Sequence, residues 1–81
     1  MTRFGAMIEC LLYRTGHAQR QLFYRVEIAM NLFSEVSVLR EWGVAGGRPK
    51  AVVQCFGNLR EASYAADRHR TLAERRGYLR A

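Results

Sequence analysis

Arg40-Glu41-Trp42-Gly43-Val44-Ala45-Gly46-Gly47-Arg48-Pro49-Lys50 joins the end of one strand to the start of the next. The run that leads into it, Glu35 to Trp42, alternates Val36, Val38, Arg40 and Trp42 with Ser37, Leu39 and Glu41. That period of two is the pattern of a half-buried strand. Strict alternation puts Arg40 and Trp42 on the side of the valines, whereas a bulge near the strand end would reverse them. Gly46-Gly47 permits positive φ and Pro49 cannot donate to a ladder, so Gly43 to Pro49 reads as a loop. Ala51 to Phe56 is the returning strand. The stretch holds the only tryptophan, the only proline, three of the seven glycines and the basic residues Arg40, Arg48 and Lys50.

Upstream, Leu22 to Ala29 alternates again, with Tyr24, Val26 and Ile28 on one face and Phe23, Arg25 and Glu27 on the other. Met30 to Ser34 connects the two strands, with Asn31 and Ser34 as turn residues and Phe33 folding back on the core. Met7 to Tyr13 is a further apolar strand, and Arg14 to Gln21 a polar loop with room for one helical turn. Downstream, Asn58 is a favourable N-cap with Glu61 three residues on. Leu59, Ala62, Ala65, Ala66, His69, Leu72 and Ala73 then recur at spacings of three and four, one face of a helix. Gly77 stops it, Arg75 and Arg76 lie in its last turn, and Tyr78 and Leu79 return to the core. The expected fold is α+β: an antiparallel β-sheet of about four strands with one C-terminal α-helix packed across it, a single domain over residues 1–81.

Thirteen Lys+Arg against seven Asp+Glu give a formal net charge of +6, and Lys50 is the only lysine. Guanidinium suits bidentate phosphate contact and stacking, so this bias points to nucleic acid before membrane; the plainer reading is a generally solvated surface. Cys10 and Cys55 have no Cys-x-x-Cys or histidine spacing for a metal and read as buried free thiols of a cytoplasmic protein, with a Cys10–Cys55 disulfide as the lesser alternative. Residues Met1 to Met7 run into Glu9 without a signal-peptide core, and no stretch has transmembrane length.

No serine, cysteine or histidine sits in a nucleophile-and-base pattern, the carboxylates do not cluster for a metal, and no glycine-rich run is a phosphate-binding loop. His69 reads as a core-facing helix residue rather than a catalyst. The expectation is therefore no enzyme, no cofactor and no small-molecule substrate. Arg40, Arg48 and Lys50 around Trp42 instead suit a nucleic-acid backbone and an unstacked base. Arg60, Arg68, Arg70, Arg75 and Arg76 scatter around the outer half of the helix, a solvated face first and a phosphate-contacting patch second.

Phe23-Tyr24-Arg25-Val26-Glu27, the Leu32-Phe33 connection, Val38-Leu39-Arg40-Glu41-Trp42-Gly43, the glycine-rich turn and Arg75-Arg76-Gly77-Tyr78 together resemble the WGR domain, named for its Trp-Gly-Arg motif. The resemblance runs from about Met7 to Tyr78, and the first strand is similar to that of small bacterial stand-alone members. It implies a small antiparallel sheet with a helix. In the DNA-dependent poly(ADP-ribose) polymerases this domain binds at a DNA break, where the Trp and Arg of the motif contact a strand end, and it also touches neighbouring domains. By that likeness Trp42 stacks at a strand end. The motif arginine is Val44 here, which leaves Arg40 and Arg48 as the nearest cations. Two expectations follow: a DNA-binding module acting through Trp42, Gly43, Arg40, Arg48 and Lys50, or an adaptor that docks a partner protein or a second copy through the Trp42 loop or an open sheet edge.

Overall fold

The computed structural model describes residues 6–30, 33 and 35–81. Its strands are β1 (Ala6–Thr15), β2 (Gln21–Met30), β3 (Val36–Val44), β4 (Lys50–Phe56) and β5 (Leu79–Arg80), and its helix is α1 (Leu59–Arg75). All strand pairs are antiparallel, in the order β4-β3-β2-β1-β5. The first four strands form a meander whose short connections dictate neighbour pairing. The sheet thus has one strand more than expected. β5 is too short for any periodicity to reveal, and it forms because the chain leaving α1 runs back along β1, pairing Tyr13 with Leu79 and Leu12 with Arg80.

Alternation settles the two faces. Leu12, Tyr24, Val26, Ile28, Val36 and Val38 are buried beneath α1, which lies over β2, β3 and β4 and contributes Ala62, Ala66 and Ala73. Small side chains let the helix axis come close to the sheet. Leu12, Val36 and Val38 are the largest fully buried side chains, and burial of each stabilises the fold by about 1.5–3 kcal/mol. Leu59 and Leu72 lie at the margins of the helical stripe and are partly exposed. The Asn58 side chain accepts from the Glu61 N–H at 2.9 Å, the expected cap. At the other end the Gly77 N–H donates to the Glu74 carbonyl and the Tyr78 N–H to the Ala73 carbonyl, at 3.0 and 3.2 Å, which is a Schellman closure with Gly77 at φ 98°.

Other expectations change. Phe33 is 83% exposed and Leu79 73% exposed, so neither returns to the core: Phe33 sits in the connection beyond the sheet, and Leu79 points to the face that α1 leaves open. Asn31 and Ser34, as turn residues, and the reading of the first five residues fall outside the described residues. β1 continues through Arg14 and Thr15, and the loop after it contains one short 3-10 turn, His17–Gln19. Cys55 is exposed and Cys10 half-buried, both as free thiols. They stand on β1 and β4, three strand spacings or about 14 Å apart, beyond the reach of a disulfide.

The open face carries Glu9, Arg25, Glu27 and Glu41 in one network. Arg25 Nη1 donates to Glu9 Oε2 at 2.6 Å and to Glu27 Oε1 at 3.1 Å, and Arg25 Nε donates to Glu41 Oε1 at 3.1 Å. The bond to Glu9 raises the Arg25 pKa above its ordinary value, burial opposes this, and Glu41 adds to the rise. Glu27 is only 3% exposed, and the guanidinium between these carboxylates offsets part of the cost of its burial.

Candidate nucleic-acid interface

The register of β3 is continuous from Val36 to Val44, without a bulge, so Arg40 and Trp42 lie on the face of the valines. Trp42 stands beyond the end of the packed stripe, opposite Tyr24 on β2. Their rings are 6.1 Å apart and inclined by 20°, a stacked pair, and Tyr78 meets Tyr24 edge-on at 5.8 Å. Guanidiniums cover two of these rings: Arg40 lies 5.5 Å from the Trp42 centroid and Arg14 lies 5.2 Å from that of Tyr78. Cations favour such positions because the ring face is electron-rich.

These groups surround one hollow of about 400 Å³, lined by Arg14, Tyr24, Arg40, Trp42, Arg76 and Tyr78. Three arginines and the partly exposed rings of Trp42 and Tyr78, backed by the buried Tyr24, make a surface for a flat, anionic ligand. Arg14 is fixed by its Nη1 donating to the Arg76 carbonyl at 2.8 Å, while its Nε is buried with no hydrogen-bond partner among the described residues. Gly77 is part of this construction, since a Cβ there would stand 3.2 Å from Arg14 Cδ.

The sequence-derived site divides. Arg40 and Trp42 line the hollow. Lys50 pairs with Trp42 across β3 and β4 and so shares its face, but it is exposed and outside the lining, as is Arg48 in the turn. Gly43 points to the opposite face, where a Cβ would meet Pro49 Cα at 3.3 Å, so its role is to let the returning chain pass close. Arg14, Tyr24, Arg76 and Tyr78 are lining residues that the linear sequence did not group with Trp42. Tyr24 shared its alternation phase with the valines, which was a usable signal. Arg14 had none, and Tyr78 signalled only a return to the core, because the β1–β5 pairing is what brings the two together.

A larger hollow of about 470 Å³ lies between β1 and α1, with Ile8, Cys10, Val26 and Ile28 among its lining. It is mainly apolar, and Arg70 at its rim is already held by Asp67 and by Glu74. It is the weaker candidate for an anion. His69 on α1 has a pKa lowered by burial first, and then by the charges of Arg40 and Arg68.

A family model described as the WGR domain matches residues 8–81, nearly the whole chain. The chain belongs to the WGR domain family. No curated protein and no solved structure matches it. In this WGR domain the third motif position is Val44, which alternation places on the face of Trp42, in a cross-strand row with Leu22 and Arg14. The row that lacks the motif arginine therefore carries a different arginine two strands away. WGR is a binding domain rather than a catalytic one. Among the described residues there is no group of three or more His, Cys, Asp or Glu that would hold a metal, and no helix long and apolar enough to cross a membrane.

Proposed function

We propose that this WGR domain is a non-enzymatic, cytoplasmic nucleic-acid-binding module that takes a DNA end or break at the Trp42 hollow, without a cofactor or a small-molecule substrate. The observation that carries this reading is the convergence of Arg14, Arg40 and Arg76 with Tyr24, Trp42 and Tyr78 around one opening. Backbone phosphate is the ligand for which several guanidiniums at one opening are suited, and a terminal base has a flat face to offer the rings. Arg48 and Lys50 flank the site and serve the continuing backbone. Val44 shifts the terminal phosphate contact from the motif position to Arg14 and Arg76.

Trp42 is the only tryptophan, so its emission reports directly on the site. Titration with blunt, nicked and single-stranded DNA should quench it, with affinity falling steeply as salt rises. Arg76→Ala, at an exposed side chain, should weaken binding severalfold and lower the salt slope by about 0.7–0.9 for each phosphate it no longer neutralises. Absence of binding at low salt, or binding that leaves Trp42 emission unchanged, would refute the proposal.

A further inference from the structure

The outer edge of β4 leads to a second surface. The Ala45 N–H donates to the Gln21 carbonyl at 2.8 Å, and the Val44 carbonyl accepts from the Gly47 N–H at 2.9 Å. In an antiparallel ladder successive residues turn their N–H and C=O groups to opposite sides. Odd residues of β3 therefore bond to β2 and even ones to β4. On β4, Lys50, Val52, Gln54 and Phe56 pair inward with β3, while Ala51, Val53 and Cys55 direct their N–H and C=O groups outward. No described strand lies beyond them.

Folded proteins usually guard such an edge with charges, proline or a bulge. Ala51 to Phe56 contains no charge and no proline, its register is unbroken, and Val53 is 62% exposed. Pro49 and Lys50 protect only one end.

We infer that this edge pairs with the same edge of a second copy, β4 against β4 about a two-fold axis through Val53. Three outward-facing residues centred on Val53 make the edge self-complementary. Val53 pairs with its own symmetry mate and Ala51 with Cys55 of the second copy, so all three outward N–H groups and all three C=O groups of each copy find partners. On the helix side Val52 meets Gln54, and Lys50 meets the Phe56 ring. No like charges oppose each other, and the symmetry is closed. The axis is perpendicular to the sheet, so both helices and both Trp42 hollows share one side of a ten-stranded sheet, with the two Trp42 residues roughly 25 Å apart from strand spacing and rise.

Sedimentation equilibrium over a wide concentration range is the test. The wild-type chain should show a reversible monomer–dimer equilibrium. Val53→Pro removes an N–H that bonds to nothing in the protomer, so it should keep the circular dichroism of the fold and be monomeric. Val53→Lys sets two ammonium groups against each other at the axis and should weaken the dimer at least tenfold, less at high salt, even if the proline variant folds poorly. Ala51→Cys with Cys10→Ser should form a covalent dimer through Cys55 on mild oxidation. A wild-type chain that stays monomeric at millimolar concentration, or a lysine variant that dimerises as the wild type does, would overturn the inference.

Discussion

Trp42 is neither a core residue nor a free contact residue. It is half-buried, with Tyr24 beside it and Arg40 over its ring, so a ligand meets an aromatic surface already set in place by its neighbours. Its stack on Tyr24 also means that Trp42→Ala would disturb the sheet end as well as the site, which is why the arginines are the cleaner probes. His69 on the helix, within the field of Arg40, adds a titratable group. Its folded pKa lies below the ordinary 6.5, with burial the main cause and Arg40 and Arg68 contributing. The unfolded chain therefore binds the proton more readily, and stability is lost as pH falls through 6.5 towards the folded value. Denaturant midpoints measured from pH 8 to pH 5 should decline in this window, and His69→Gln should flatten the decline. An equal slope in both proteins would show that His69 does not couple to folding. The sequence placed His69 on the inner face, half-buried in the structure, but the charge of Arg40 that acts on it comes from another element.

At the scale of elements, the end of α1 decides whether the site exists. The Schellman closure at Gly77 turns the chain so that Tyr78 reaches Tyr24 and β5 reaches β1, and it leaves room for Arg14 to cross to the Arg76 carbonyl. Replacing Gly77 by alanine places a Cβ at φ 98° and 3.2 Å from Arg14 Cδ. The substitution should cost about 1–2 kcal/mol from the left-handed backbone alone. It should also displace Arg14 and weaken DNA binding by more than the stability loss accounts for, a difference that parallel urea melts and DNA titrations would resolve. Binding that is unchanged in folded Gly77→Ala would remove Arg14 from the site. Element identity was legible because alternation and the three-four spacing are strong signals over eight or more residues. Asn58, Glu61 and Gly77 marked the helix ends through local chemistry. β5 was illegible because two residues carry no period, and with it went the grouping of Arg14, Arg76 and Tyr78 with Trp42. Arg48, close to Trp42 in sequence, was easier to see than Arg14, whose place at the hollow is made by pairing across the sheet.

Across the whole molecule the carboxylates gather in two places, around Arg25 on the open face and along α1, where Asp67 and Glu74 hold Arg70. Glu9, Glu27 and Glu41 share Arg25 on the open side of the sheet, while the hollow and the turn before β4 carry cations, within a formal excess of +6 for the chain. If the site rather than the total charge holds nucleic acid, where a charge is added must matter more than how much. Val44→Arg and Glu9→Gln each raise the net charge by one, the first beside Trp42 and the second on the opposite face, at a side chain that is 54% exposed. Val44 is partly exposed and shares its face with Trp42, so an arginine there can extend to the rim of the hollow and reach a further phosphate. Val44→Arg should steepen the dependence of log K on log salt by about 0.7–0.9 and strengthen binding several-fold at low salt. Glu9→Gln, remote from the hollow and within a network that Arg25 still organises, should leave that slope unchanged. Measuring both slopes with one nicked duplex separates the cases. Equal effects from the two substitutions would mean that DNA senses the net charge of the domain and not the Trp42 hollow.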